Sequence, residues 1–364
     1  MRSTDSLRLW ITDLLPHTST PAREGARQLV CSLLTGFTAN LCGLARHSAR
    51  RKRGRTAASQ RQFFFRWLQR PRWEPEAIYR RLLRRWPAEL RTATVVPLLI
   101  DCTILGEGWN VLQVSVPFAR RALPVYRAVV HFRTPACSQK ELLDTALAWL
   151  KEHLPGPQSR YVLLLDRGFP SHELLRQLQA AGWRYVVRIG RNWRLTHPTY
   201  TGLLQDAVPA VSPQRHCRWF PAATLGNRTK GTKKWSQSHV VVLADPQHAE
   251  AWVLATNEAD PEAAVALYRQ RMQIEAEFRD LKGPLGMDHL EHWQDADRVA
   301  RLLVWVAVYE WRLAWLWLTR EIAEWGRRHL QVGGSLSWIN TTRQWVQRHW
   351  RLALGPPTTV REAP

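Results

Sequence analysis

Four side chains stand at regular intervals in the segment that ends at Gly283. Tyr268, Arg271, Glu275 and Lys282 are separated by three, four and seven residues. At about 100° per residue, these spacings put all four on one helical stripe about 60° wide. A carboxylate there can ligate a hard divalent cation while Arg and Lys hold phosphate oxygens. Arg271 and Glu275 would equally form an ordinary i, i+4 ion pair, so the stripe alone leaves both interpretations open.

Two acidic residues follow apolar, strand-like runs elsewhere in the chain. Asp101 follows the run at residues 95–100, and Asp166 closes the run at residues 162–165. An ionised carboxylate in such a setting is costly unless a cation compensates it. If the two strands pair, both carboxylates emerge at one end of the sheet, where ligands bind in open α/β folds. Either aspartate could instead cap the turn after its strand.

Three carboxylates therefore form the candidate catalytic and metal-binding set: Asp101, Asp166 and Glu275. Oxygen ligands without a neighbouring His or Cys cluster favour Mg²⁺ or Mn²⁺ over zinc. The same helix carries Glu277 and Asp280, which are predicted to face away from the stripe. We hypothesise that the set of three holds two divalent ions, an arrangement that catalyses in-line displacement at a phosphodiester.

The elements that must position these side chains alternate along residues 93–190. The period of apolar residues predicts the order β-β-β-α-β-α-β, a mixed sheet flanked by helices. The fourth strand is almost wholly apolar, which is typical of a strand buried on both faces. The predicted strands cover residues 95–105, 111–116, 123–132, 161–166 and 185–189, and the predicted helices cover residues 138–154 and 171–180.

The segments on either side of this core have different patterns. Helix starts are predicted near four residues of the first 92, namely Ser6, Pro21, Thr56 and Pro75. Pro, Gly, Asn and Thr clusters mark residues 191–259 as a β-rich insertion, with strands over residues 239–244 and 252–256. One helix is then predicted from Pro261 to Lys282, where Gly283-Pro284 forces a stop, and a very apolar helix over residues 295–325.

The charge of the chain points to a polyanionic partner. It has 52 Lys and Arg residues against 30 Asp and Glu residues, a net charge of +22. Residues 46–72 contain basic side chains and no acidic one, which indicates a phosphate-binding surface. A solvated basic loop is the alternative. The residues that we expect to contact DNA are Arg50, Arg51, Lys52, Arg53, Arg55, Arg61 and Arg66.

A membrane location is not expected from this sequence. Residues 302–318 are apolar enough to suggest a bilayer span, but Glu310 and Arg312 lie near the centre of that run. A buried helix is therefore predicted there. The five cysteines form no C-x-x-C pair, which is typical of a reducing cytoplasm.

These motifs together resemble one family, the bacterial insertion-sequence DDE transposases that carry a Tyr-Arg-Glu-Lys (YREK) signature. The signature Y-x-x-R-x-x-x-E-x-x-x-x-x-x-K is matched in full by residues 268–282. Asp101, in the string Ile-Asp-Cys-Thr, and Asp166, in Asp-Arg-Gly-Phe, match the other two blocks of the family. The resemblance extends over residues 101–282, about half of the chain.

The resemblance implies a mixed α/β fold: a ribonuclease H-like core with a β-rich insertion, preceded by an all-helical DNA-binding region and followed by hydrophobic C-terminal helices. The chain would divide at residues 1–92, 93–190, 191–259, 260–330 and 331–364. Two Mg²⁺ or Mn²⁺ ions would serve DNA cleavage and strand transfer, while Tyr268, Arg271 and Lys282 position phosphates. Trp235 and Trp252 are the two candidates for the family's base-stacking tryptophan.

The implied partners are double-stranded DNA, as terminal inverted repeats and target, and a second copy of the chain, because two transposon ends are joined in one complex. The implied location is the bacterial cytoplasm, with nucleoid association when DNA is bound. Two alternatives stay open. A ribonuclease H-fold nuclease would cut DNA without joining it, and a domesticated transposase would bind DNA without catalysis.

Overall fold

The structure of the protein is a computed structural model in which a large sheet is packed against helices. It describes residues 7–49, 56–69, 73–131, 138–208, 215–229, 232–246, 250–290, 293–318, 320–329 and 338–354. Before the sheet, the described helices are α1 (Leu7–Leu14), α2 (Thr20–Gly36), α3 (Leu41–Ala49), α4 (Ala57–Gln69), α5 (Pro75–Leu83) and α6 (Ala88–Thr92).

The helix starts predicted near Pro21, Thr56 and Pro75 are confirmed to within one residue. The start predicted at Ser6 lies just outside the described residues. Helices α3 and α6 were not predicted. Proline occupies the first turn of both α2 and α5, where its missing N–H costs no hydrogen bond.

Strands of the described chain form one ten-stranded sheet in the order β3-β2-β1-β4-β5-β10-β9-β8-β6-β7. The pairs β1–β4 and β4–β5 are parallel, and the other neighbours are antiparallel. The strands are β1 (Val96–Leu105), β2 (Trp109–Phe118), β3 (Arg121–His131), β4 (Tyr161–Leu165), β5 (Arg184–Arg188), β6 (Arg194–His197), β7 (Tyr200–Leu203), β8 (His216–Thr229), β9 (Thr232–Ala244) and β10 (Trp252–Thr256).

The alternation predicted for residues 93–190 is confirmed. Helix α7 (Gln139–His153) connects β3 to β4, and α8 (His172–Ala180) connects β4 to β5. Helix α7 begins with a capping box, because the Ser138 hydroxyl accepts from the Glu141 amide while the Glu141 carboxylate accepts from the Ser138 amide. Every residue of β4 is buried, as the sequence predicted for a strand covered on both faces.

Strand β3 contains one residue more than β2 across a bulge. Ser115 lies opposite Pro124, whereas Val114 lies opposite Tyr126, so that Val125 has no partner on β2. The bulge changes which residues of β3 share a face. Arg127 and Pro124 therefore face the same side of the sheet, although they are three residues apart.

Residues 191–259 contain more strand than the sequence pattern predicted, and these strands extend the main sheet. Strands β8 and β9 form a long hairpin, and β10 pairs with β9 on one side and β5 on the other. The strands predicted at residues 239–244 and 252–256 are confirmed as parts of β9 and β10. Strands β6, β7 and β8 were missed because Pro, Gly and basic residues interrupt their apolar period.

The single helix predicted from Pro261 to Lys282 is wrong, because two helices occupy this segment. Helix α10 (Pro261–Arg269) and helix α11 (Met272–Lys282) are separated at Gln270 and Arg271. The amide of Arg271 donates to the carbonyl of Tyr268 at 2.9 Å, a contact over three residues that tightens the chain at the break. The predicted end of the helix at Gly283 is confirmed.

The apolar helix predicted over residues 295–325 is also shorter than expected. Helix α12 (Ala296–Trp317) is followed by the separate helix α13 (Arg320–His329), and the last described helix is α14 (Trp338–Leu354). The prediction that residues 302–318 are buried in the protein is confirmed for most of α12. Within the described residues, no single helix is sufficiently long and apolar to cross a bilayer. The bent pair α2–α3 meets that criterion by length and composition alone.

A cluster of tryptophan side chains packs helix α12 against the amino-terminal helices. The ring of Trp305 lies 5.7 Å from that of Trp67 and 5.4 Å from that of Trp73, and Trp305 is completely buried. Offset and edge-on aromatic contacts of this kind add to the stabilisation from buried apolar area. The cluster therefore holds α4 against α12.

Trp305→Ala should lower the free energy of unfolding by about 3–5 kcal/mol, because it removes a fully buried indole and leaves a cavity. Trp235→Ala is the matched control, since the Trp235 side chain is 40% exposed and should cost about 1 kcal/mol. Urea unfolding followed by fluorescence measures both. Equal losses in the two variants would contradict a central role of the cluster.

Candidate active site

The two aspartates lie where the parallel pairing of β1 with β4 ends. Ile100 of β1 lies opposite Leu165 of β4, so that Asp101, which is within β1, and Asp166, which follows β4, come next to each other at that point. This is the arrangement that the sequence predicted if the strands were paired. One Asp101 carboxylate oxygen accepts from the amide of Cys102 at 2.8 Å, which fixes the side chain beside its own strand.

The guanidinium of Arg271 lies between three carboxylates. Its Nη2 atom is 2.8 Å from Asp101 Oδ2 and 3.3 Å from Asp166 Oδ2, and its Nη1 atom is 2.8 Å from Glu275 Oε1. The Arg271 side chain is only 5% exposed, and its buried Nε atom has no hydrogen-bond partner among the residues that the structure describes. The structure therefore brings Asp101, Asp166 and Glu275 together around one cation.

Tyr268 completes the cluster from the end of α10. Its hydroxyl donates to Asp166 Oδ1 at 3.1 Å, and its ring lies edge-on to Trp252 at 5.1 Å. Burial raises the pKa of the Tyr268 phenol, so the group is a neutral hydrogen-bond donor at physiological pH. The phenol thus orients the Asp166 carboxylate without adding charge to the cluster.

The cluster has fewer positive charges than carboxylates. Burial raises the pKa of Asp101 to about 6, although the neighbouring Arg271 acts in the opposite direction. Burial by itself would lower the pKa of Arg271, but Asp101, Tyr268 and Asp166 raise it overall, so the guanidinium stays charged. One guanidinium therefore does not fully compensate the carboxylates that surround it.

The chemistry of the donors suits a hard divalent cation. Asp101, Asp166 and Glu275 offer only oxygen atoms, which Mg²⁺ and Mn²⁺ prefer. In the described part of the chain, no three acidic, His or Cys side chains are arranged to hold a metal ion as they stand. The Arg271 guanidinium occupies the space between the carboxylates, so a cation of higher charge would have to replace it there.

The structure does not bring Lys282 into this cluster. Lys282 lies about two helical turns beyond Glu275 on α11, is partly exposed, and has no hydrogen bond or ion pair with the residues that the structure describes. Glu275 and Lys282 lie on the same unbroken helix, so their seven-residue spacing keeps them on one face but separates them by about 10 Å along the axis.

The expected DNA-binding residues divide into two groups. Arg61 and Arg66 are exposed on α4, while the buried Phe64 seats that helix. The other five, Arg50, Arg51, Lys52, Arg53 and Arg55, lie outside the described residues. Of the two tryptophan candidates, Trp235 is exposed on β9 and Trp252 is buried beside Tyr268.

A buried ionic cluster lies behind α11 that the sequence interpretation missed. Arg127 donates to Glu277 at 2.6 Å and to Glu310 at 2.9 Å. The prediction that Glu277 faces away from the stripe is confirmed, but the side chain points into the protein interior and not towards solvent. Burial also raises the pKa of Glu310 well above its usual range. The signals available in the sequence were Glu310 within an apolar helix and Arg127 within an apolar strand.

One known protein family matches the central part of the chain. Residues 125–311, just over half of the chain, match the family described as a transposase DDE domain. The protein belongs to this family of DDE transposases. The matched residues include Asp166 and Glu275, whereas Asp101 precedes them. No curated protein sequence matches the chain.

The raised pKa of Asp101 makes stability depend on pH in a metal-chelating buffer. Between about pH 4 and about pH 6 the folded protein keeps a proton that the unfolded chain has lost, so the contribution of Asp101 to stability falls as pH rises through this window. Asp101→Asn cannot titrate and should gain about 2–3 kcal/mol relative to the wild type across the window. Thermal unfolding at both pH values measures this; a constant difference between the two proteins would contradict it.

Proposed function

We propose that the protein is a transposase of the Tyr-Arg-Glu-Lys group that cuts DNA strands and joins the freed 3′ end to target DNA. The observation that carries this proposal is the convergence of Asp101, Asp166 and Glu275 on Arg271. The strand order β3-β2-β1-β4-β5, with a parallel centre and helices α7 and α8, supports a ribonuclease H-like core.

In this proposal, Asp101, Asp166 and Glu275 hold two Mg²⁺ or Mn²⁺ ions. Bound divalent ions activate the attacking oxygen and stabilise the leaving oxygen of a phosphodiester. Arg271, released from the carboxylates, is then positioned to contact a phosphate oxygen of the DNA. The Tyr268 hydroxyl has a single proton to donate. In the complex with DNA it donates this proton to a phosphate oxygen near the transposon end instead of to Asp166. Lys282 is free to contact a neighbouring phosphate.

The proposed partners are the terminal inverted repeats of the element, target DNA and a second copy of the chain. A homodimer follows from the need to hold two ends in one complex. The net charge of +22 and the exposed arginines of α4 support DNA as the partner. The proposed location is the bacterial cytoplasm, with the nucleoid as the site of action.

Glu275→Gln should reduce strand cleavage in Mg²⁺ by about 1,000-fold or more, about 4 kcal/mol in activation free energy. The amide loses the charge that a divalent ion requires, whereas DNA affinity should change little. The substrate is a supercoiled plasmid that carries the DNA from both sides of the reading frame. Glu262→Gln is the control, because Glu262 is an exposed carboxylate of α10 paired with Arg215. Undiminished cleavage by Glu275→Gln would refute the assignment.

The same reaction distinguishes the alternatives. Joining of a cut end to a second plasmid indicates a transposase, and cleavage without joined products indicates a nuclease. Binding with neither product in Mg²⁺ or Mn²⁺ indicates a non-catalytic DNA-binding protein. Only the first outcome supports the proposal in full.

Arg61→Ala and Arg66→Ala should each weaken binding to all DNA sequences alike. Each variant should also reduce the slope of log affinity against log salt concentration by about 1, because one phosphate contact is lost. Arg27→Ala is the matched control, since its guanidinium already pairs with Glu24 at 2.7 Å. Fluorescence anisotropy across a salt series measures the slopes, and unchanged slopes would exclude α4 from the DNA interface.

A further inference from the structure

Four polar side chains, Gln113, Arg127, Glu277 and Glu310, form a hydrogen-bonded cluster beneath α11, which we call the Arg127 cluster; Gln113 also donates to the hydroxyl of Ser115 at 2.7 Å. Arg127 Nη2 donates to Glu277 Oε1 at 2.6 Å and to Glu310 Oε2 at 2.9 Å, and Arg127 Nε donates to Gln113 Oε1 at 2.5 Å. Gln113 Nε2 donates in turn to Glu277 Oε2 at 2.5 Å. The side chains of Arg127 and Glu277 are each 1% exposed. The cluster therefore links β2, β3, α11 and α12 inside the protein.

The Arg127 cluster lies in line with the candidate active site. Asp101 on β1 is opposite Gln113 on β2, and Gln113 is opposite Arg127 on β3. Directly opposed residues of neighbouring strands project from the same face of the sheet. Asp101, Gln113 and Arg127 thus form one row beneath α11, with the active site at one end and the Arg127 cluster at the other.

Helix α11 is attached to both ends of this row. Glu275 reaches towards Asp101 through Arg271, and Glu277 reaches towards Arg127 and Gln113. The two glutamates are two residues apart and project about 200° from each other around the helix axis. When a helix is held at two points on opposite sides, its rotation about its own axis is fixed. Apolar packing alone fixes that rotation less strictly.

We propose that Arg127 and Glu277 are positioning residues that set the rotation of α11 and thereby hold Glu275 at the distance from Asp101 and Asp166 that metal binding requires. The inference rests on the proposed function, because it assigns Glu275 to a divalent ion. Gln113 and Glu310 support these two residues. Gln113 pairs with Arg127 and with Glu277, and Glu310 pairs with Arg127, so that the buried polar atoms of Arg127 and Glu277 are not left without partners.

Two conservative variants test the assignment. Glu277→Gln replaces one of the two acceptor oxygens by an NH2 group, so that either Arg127 Nη2 or Gln113 Nε2 would face a donor instead of an acceptor. Arg127→Lys keeps the charge but loses the planar fork that contacts several partners at once. We expect each variant to weaken Mn²⁺ binding by about tenfold or more, as found for groups that orient metal ligands. Isothermal titration calorimetry of the full chain without DNA measures the dissociation constant.

Arg121→Ala is the matched control because Arg121 joins the same two elements, β3 and α11, through Asp280 at 2.9 Å. That pair is partly exposed and should hold the helix less strictly, so the Mn²⁺ dissociation constant should stay within about twofold of the wild type. Equal weakening in Arg121→Ala and Arg127→Lys would overturn the inference, because any link between β3 and α11 would then suffice.

A third variant separates positioning from stability. Replacing Arg127, Glu277 and Glu310 together by Met, Leu and Leu removes the buried charges and fills their volume, a change that often preserves folding. If the melting temperature is retained while Mn²⁺ affinity falls, the positioning role is supported. Wild-type affinity in a stable triple variant would overturn it. Glu275→Gln identifies the site: Mn²⁺ binding that does not depend on Glu275 would refute the proposed function itself, and the inference with it.

Discussion

The compensation of three partly exposed carboxylates by a single buried guanidinium is the constraint around which this protein is organised. Asp101 lies within β1 and Asp166 directly follows β4, two parallel strands in the centre of the sheet, and Glu275 approaches them from a helix laid over those strands. Without Arg271 their mutual repulsion would oppose folding. The incomplete compensation also explains why the same pocket is suited to ions of higher charge, since it retains negative charge that one guanidinium leaves unbalanced.

The break between α10 and α11 makes this arrangement possible. A continuous helix would fix Tyr268, Arg271 and Glu275 on one straight stripe, whereas the break lets Tyr268 contact Asp166 and Arg271 contact all three carboxylates. The tight turn at Gln270 and Arg271 thus replaces regular helix where the side chains must converge. Beyond the break, α11 is held on its other side by the Arg127 cluster.

Sequence patterns predicted the centre of the molecule better than its margins. The strands with long apolar runs, β1 and β4, were predicted from those runs, whereas their pairing was only a condition for the site, which the structure meets. Strands β6 to β8 carry mixed residues at the edge of the sheet and left no such pattern. The spacing from Tyr268 to Glu275 identified the residues that converge, but not that Arg271 would be their centre. The Arg127 cluster depends on contacts between residues more than 100 positions apart, which no local period encodes.

The unpaired Val125 in β3 has a consequence for how this region can vary. Side chains alternate along a strand, so losing Val125 alone would leave regular alternation, with Pro124 still opposite Ser115 and Arg127 still opposite Gln113. Trp311, whose indole nitrogen donates to the Pro124 carbonyl at 2.7 Å, contacts the strand directly beside this extra residue. Deletion of a paired residue of β3 would reverse the side chains on one side of the deletion, whereas deletion of Val125 would not. A deletion in this segment should therefore be tolerated at the bulge and nowhere else between Ala122 and Arg127.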